Sequence, residues 1–203
     1  MSDQPLLLLL LIAAAAYVAK LWRDDCRAAR AGLPNPRALP GATPAPRRAL
    51  VIAVLGALVL LALETWGEIR LGIAGEQSRM TILFGLYTLA AAVIEEVIFR
   101  GYLVIEGRGA AARWAGMVGA SLVFAAIHPF LWAWDDDGFR WTFGLKGWFS
   151  TAAVFAGSLW FYVVRFAAWN PSHSLLPCFA AHAAKNLGVI AIKAAQGFVA
   201  GWW

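Results

Sequence analysis

The chain has 203 residues, of which 61% are hydrophobic and only 14% charged, and its mean hydropathy is +0.66. An ordinary soluble domain is about 45–50% apolar and about 25% charged, so this composition describes an integral membrane protein. The formal charge of +5 comes from 17 Lys and Arg against 12 Asp and Glu; the basic residues gather between apolar runs, a pattern of membrane orientation rather than of nucleic-acid binding.

Crossing about 30 Å of hydrocarbon takes roughly 20 helical residues, and the chain offers six such segments. They imply an all-α, polytopic transmembrane bundle. The first runs from Pro5 to Trp22; Ser2 and Asp3 give it no positive leader, so it reads as an uncleaved anchor. A linker from Arg23 to Arg48 follows, whose Pro34, Pro36, Pro40, Pro44 and Pro46 favour extended, solvated chain. The remaining helices are read at Ala49 to Trp66, Thr81 to Ile105, Trp114 to Trp134, Lys146 to Val164 and Leu175 to Lys193.

Lys20, Arg23, Arg27, Arg30, Arg37, Arg47 and Arg48 place the linker in the cytoplasm, together with the turn bearing Arg108 and Arg113. The alternate loops, with Glu64, Glu68 and Glu76 and then Asp135, Asp136 and Asp137, lie outside with the N-terminus. A bacterial inner membrane suits this asymmetry. Trp66, Trp132, Trp134, Trp141, Trp148, Trp169, Trp202 and Trp203 fall at helix ends as interfacial anchors. Cys26 and Cys178 form neither a disulfide framework nor a zinc motif.

Ionisable groups inside a span are costly, and mark a cavity, a partner or a function. The third segment carries Glu95, Glu96 and Arg100; Glu96 and Arg100 are four apart on one helix face and can pair, while Glu95 points elsewhere. The fourth has Phe124 and His128, with Pro129 after the histidine, and the sixth has His182 and Asn186 four apart. Three helices with polar groups at depth require a shared polar interior, so Glu95, Glu96, His128, His182 and Asn186 line one pocket. A carboxylate base, an imidazole and neutral donors in one pocket suit amide hydrolysis. Zinc held by histidines and glutamate is the competing chemistry, although no two histidines have helical zinc-motif spacing. Lys185, between His182 and Asn186, either snorkels or tunes the pocket. A non-enzymatic bundle, a transporter or immunity-type interaction protein using the buried charges as a relay or clamp, is the rival class.

Taken together, Glu95-Glu96 with Arg100, Phe124 with His128, and His182 with Asn186 resemble the EExxxR, FxxxH and HxxxN strings of the CPBP or Abi intramembrane endopeptidases, which include CAAX prenyl proteases and bacteriocin-processing enzymes. The resemblance covers Thr81 to Ala194 and divides the chain into an N-terminal two-helix extension (1–79) and a protease core (80–203). It implies that Glu95 is the general base, that His128 shares the water, that His182 and Asn186 hold the oxyanion, and that Glu96 and Arg100 support the pocket. It implies a glutamate mechanism without a metal, and substrates that are membrane-associated proteins or peptide precursors, prenylated CAAX proteins among them.

Overall fold

A computed structural model describes residues 4–33, 35–136 and 138–203; the expectations placed on Met1, Ser2, Asp3, Pro34 and Asp137 lie outside the described residues. The chain forms α1 (Pro5–Arg30), α2 (Arg47–Arg70), α3 (Ile82–Glu96), a π-helical segment (Val97–Tyr102), α4 (Gly109–Ile127), a hairpin of β1 (Trp132–Asp135) and β2 (Gly138–Trp141), α5 (Leu145–Phe166) and α6 (Leu176–Ala195). The all-α bundle follows. Among the described residues, five helices, α1 to α5 with α3 continued by the π segment, are long and apolar enough to cross a membrane. α6 has 20 residues but carries His182, Lys185 and Asn186 in its middle, which lowers its hydropathy below that of its neighbours.

Several boundaries differ from the apolar runs, each for a local reason. α1 continues past Trp22 to Arg30 because Leu8, Ala15, Trp22 and Cys26 keep one face buried, and Lys20 pairs with Asp24 at 2.8 Å on the opposite side. Cys26 is therefore a buried helical residue, not part of a basic loop. α2 continues to Arg70, which moves Glu68 from a loop into the helix and sets Glu64 well inside it rather than in an outer loop. α4 stops at Ile127: His128 precedes Pro129, whose ring disfavours α geometry in the residue before it, and His128 is extended with ψ 128°. Trp132 and Trp134 thus lie on a hairpin, which pairs Trp132 with Trp141 and Asp135 with Gly138. Trp169 is not an exposed anchor either; it is half-buried 6.4 Å from Trp160.

The linker, now 31–46, is not a free solvated segment. Trp22 Nε1 donates to the Pro40 carbonyl at 3.2 Å, Leu175 N donates to Gly41 O at 3.0 Å and Thr43 Oγ1 donates to Ser172 O at 3.0 Å. Gly41 is required at this crossing: its φ is +59°, and a Cβ would lie 2.8 Å from Leu175 Cγ. The strap ties the α1–α2 connection to the α5–α6 turn, where Asn170 Nδ2 donates to the carbonyls of Val164, Arg165 and Ser174. His173 and Ser174 belong to this turn chemistry.

In the packing, α1 lies on α3, α3 on α6, α6 on α2 and α5, and α5 on α2 and α4. Lipid supplies no hydrophobic drive between helices, so close approach through small residues carries the association. Ala49, Ala53 and Ala57 form a fully buried ridge along α2. Beside it, a Cβ on Gly56 would sit 2.1 Å from the Trp160 ring, which is also held by its Nε1 donating to Ala53 O at 3.0 Å. Gly56→Ala should therefore force α2 and α5 apart and cost about 1–3 kcal/mol, read as a lowered melting temperature in detergent; an unchanged melt would show that the ring yields freely.

Candidate active site

Glu96, the last residue of α3, and Arg100, within the π segment, are both fully buried. Arg100 Nη1 donates to Glu96 Oε1 at 3.0 Å, and Nη2 donates to Ser158 Oγ at 2.6 Å and Ser158 O at 3.0 Å. Ser158 Oγ reaches Ser121 Oγ at 3.1 Å. The guanidinium carbon lies 4.7 Å from the Phe124 ring centroid and 5.0 Å from that of Tyr162. A cation out of water needs a counter-ion, hydrogen bonds and polarisable faces. α3, α4 and α5 each supply part of that set.

The π segment exists because α5 satisfies carbonyls that the wider turn displaces. Tyr162 OH donates to Phe99 O at 2.6 Å and Leu103 O at 3.1 Å, and Arg165 Nε donates to Arg100 O at 3.2 Å. The expected α-helix to Ile105 thus gives way at Val97 to a π turn, a feature that recurs at functional sites.

His182 on α6 lies with Nδ1 2.8 Å from Glu96 Oε1 and Nε2 3.7 Å from Glu95 Oε2. Its ring stacks on Phe161 at 4.8 Å. The Glu95 side chain is 31% exposed whereas that of Glu96 is 0%, so the adjacent carboxylates occupy different environments, as their offset around the helix requires. His128 Nδ1 lies 2.7 Å from Phe124 O; a carbonyl only accepts, so Nδ1 carries the hydrogen and the neutral ring keeps its acceptor at Nε2. Phe124 stands between the two histidines, 4.8 Å from His128 and 6.3 Å from His182.

Asn186 sits one turn beyond His182, and its Nδ2 donates to Thr88 O at 2.9 Å. One of its two amide hydrogens therefore holds α6 to α3. The structure brings Glu95, Glu96, Arg100 and His182 into one connected group, sets His128 against it through Phe124, and tethers Asn186 to the α3 backbone. Among the described residues, no three His, Cys, Asp or Glu side chains converge as a set that would hold a metal ion.

Sequence reasoning missed Ser121, Ser158, Tyr162 and Arg165; a serine or arginine inside an apolar helix is the signal that would have found them. It also left Lys185 without a partner: its Nζ lies 2.8 Å from Glu64 Oε2 on α2. Glu68, one turn on, pairs with Lys146 Nζ and accepts from Gln77 Nε2 at 2.6 Å.

Removing one member of the buried pair leaves the other uncompensated, so Arg100→Ala should destabilise the fold by about 3–5 kcal/mol. Melting of the purified variant in detergent measures this; a parent-like melt would show that water replaces the guanidinium.

Residues 77–188, more than half of the chain, match the family described as type II CAAX prenyl endopeptidase Rce1-like, and all seven residues of the three strings fall inside the match. No curated protein and no solved structure matches the chain. With five apolar helices of membrane-spanning length around the three strings, the chain belongs to the Rce1-like type II CAAX prenyl endopeptidase family of membrane-embedded proteases.

Proposed function

We propose that this protein is a glutamate-dependent intramembrane endopeptidase in which Glu95 is the general base. The observation that carries this reading is the division of labour between the two carboxylates: Glu96 Oε1 is engaged by Arg100 and His182, while Glu95 is partly exposed and 3.7 Å from His182 Nε2. A water between Glu95 and the acceptor Nε2 of His128 gives its proton to Glu95 as its oxygen adds to the scissile carbonyl. The charge that develops on the carbonyl oxygen is met by His182 and by the second amide hydrogen of Asn186. The Nδ1–H of His182 is held by the Glu96 carboxylate, so the N–H it offers that oxygen is at Nε2 of the imidazolium form, released once Glu95 has accepted the water's proton and no longer competes for it. Glu95 then returns the proton to the leaving amine as the C–N bond breaks. Glu96 and Arg100 hold His182 in place.

In this reading no step requires a metal, and among the described residues the donor set does not converge on one ion. The substrate is a membrane-associated protein or peptide precursor that reaches the site from the bilayer. The orientation is N-terminus outside, in a bacterial inner membrane. Its sign rests on the Lys and Arg of the linker; the alternation it needs is supported by the meeting at one end of the bundle of that linker with the α5–α6 turn, and at the other of Met80 with Phe198 and Ala200.

Glu95→Gln should lower cleavage of a prenylated CAAX-terminated peptide by 10²–10⁴, roughly the general-base contribution, with melting unchanged; turnover within a few-fold of the parent would overturn the assignment. Activity should persist after prolonged exposure to a strong chelator, and loss restored by Zn²⁺ alone would select the metalloprotease instead. In a chain with Cys26 and Cys178 replaced, an impermeant thiol reagent outside intact cells should label Arg140→Cys and spare Arg37→Cys; the reverse pattern would invert the orientation.

A further inference from the structure

The hairpin after α4 has two faces of opposite character. In a strand pair, alternate residues and the residues directly opposite them share a face. The register that sets Trp132 against Trp141 and Trp134 against Phe139 therefore gathers four aromatic side chains on one face. The other face receives Ala133, Asp135, Gly138 and Arg140, and there Arg140 Nε donates to Asp135 Oδ2 at 2.8 Å. On the aromatic face the rings run from Trp134 to Phe139 at 6.3 Å, to Trp141 at 4.9 Å, to Phe143 at 5.4 Å and to Trp148 of α5 at 5.8 Å. Trp134 is 75% exposed and Trp141 62%.

The base of this hairpin is built onto His128. Phe130 N donates to His128 O at 2.8 Å, and the Phe130 and His128 rings lie 5.9 Å apart with only 14° between their planes. Phe124, whose carbonyl faces Nδ1, is the second ring against the imidazole, at 4.8 Å. Trp132 Nε1 donates to Ala126 O at 2.8 Å, and Thr142 N donates to Leu131 O at 2.9 Å. The Phe130 carbonyl leaves no room for a Cβ on Gly147 of α5. The residues that follow His128 are thus clamped by α4, by the start of α5 and by the hairpin itself.

Ile127 ends α4 and Leu145 begins α5, so the hairpin lies at the level where two helices of membrane-spanning length leave the hydrocarbon. A two-stranded ribbon has open outer edges, whose backbone groups hydrocarbon cannot satisfy, and alone it is marginally stable. An aromatic face opposite an ion-paired one fits the boundary between headgroups and acyl chains, where rings reach apolar matter and charges keep their water. Resting on the assignment of His128 to the reacting water, we propose that the hairpin docks by its aromatic face on the bilayer interface and, from that seat, braces His128 through Phe130. Phe130 is on this account a positioning residue, and lipid supplies part of its support.

The test uses the full-length protein in phospholipid bilayers, with Cys26 and Cys178 replaced and one spin label introduced at a time. Labels at Trp134→Cys and Phe139→Cys should meet dissolved oxygen, which concentrates in lipid, several-fold more than a water-soluble nickel chelate; Ala133→Cys and Arg140→Cys should reverse that ratio. All four open to the chelate would leave the hairpin in water and overturn the proposal. So would labels at Trp134→Cys and Phe139→Cys that are shielded from both reagents and broadened by one another, the mark of a second copy. The brace is read by nitrogen NMR of the His128 imidazole at about pH 8, above the ordinary histidine range. The parent should show the Nδ1–H tautomer, and Trp134→Ser with Trp141→Ser should average the two tautomers while helical content stays at the parent level. Phe130→Leu should do the same, whereas Phe130→Tyr, which keeps the ring, should preserve the parent pattern. If the double variant does not fold, Trp134→Ser alone decides, because a ring so exposed leaves no cavity behind. An imidazole pattern unchanged by loss of the aromatic face overturns the proposal. Neither measurement needs turnover, so a parent chain that cleaves no peptide sinks the protease reading while the seat and the brace are still decided.

Discussion

A guanidinium with no exposure to solvent, inside a bundle built to sit in lipid, is the constraint on which the rest of the structure depends. Hydrocarbon offers Arg100 no alternative partner, and an unpaired buried charge is among the most costly things a fold can contain. The solution draws on several helices at once: Glu96 from α3, Ser158 and its carbonyl from α5, Ser121 of α4 behind Ser158, and the faces of Phe124, Phe161 and Tyr162. The carboxylate oxygen that receives Arg100 also receives His182, so the same contact fixes α6. Displacing any one of these helices would strip the cation of part of its environment. The charge thereby specifies the arrangement as well as stabilising it.

That specification extends to the backbone. A π turn costs hydrogen-bond geometry, and it persists here because Tyr162 and Arg165 of α5 supply donors to Phe99, Leu103 and Arg100 carbonyls. The strap of the linker closes over the same end: Pro40 lies where a Cβ on Gly101 would be only 3.0 Å away, and Gly41 passes close to both Arg165 and Leu175. The polar core and the irregular backbone are two consequences of one requirement.

What the sequence discloses follows from what is periodic or expensive. Apolar runs announce the helices, and ionisable residues inside them announce the Glu95, Glu96, Arg100 and His182 group, because four-residue spacing is a property of the helix itself. What it conceals depends on contacts between distant segments. Nothing in 23–30 says that α1 continues until Trp22 and Phe179 are seen edge to face at 5.0 Å. Nothing near Glu64 distinguishes a loop acid from a buried one until Lys185 is placed opposite. The end of α4 was readable from Pro129, yet the apolar run across it hid the signal, and the hairpin that follows owes its shape to cross-strand pairing that no helical periodicity describes.

The position of α6 explains why its own composition resembles a membrane span least. It packs against α2, α3 and α5 together, so its polar middle faces protein rather than lipid, and a helix so enclosed is released from the hydropathy demanded of its neighbours. This enclosure needs α2 as much as the helices inside the family match. The ridge of Ala49, Ala53 and Ala57 lets α2 sit close within the bundle, and a Cβ on Gly188 would meet Leu61 of α2 at 2.3 Å. Only with α2 at that distance does Glu64 reach Lys185, so the small residues of an apparently plain apolar helix determine whether a lysine can be kept next to His182 at all.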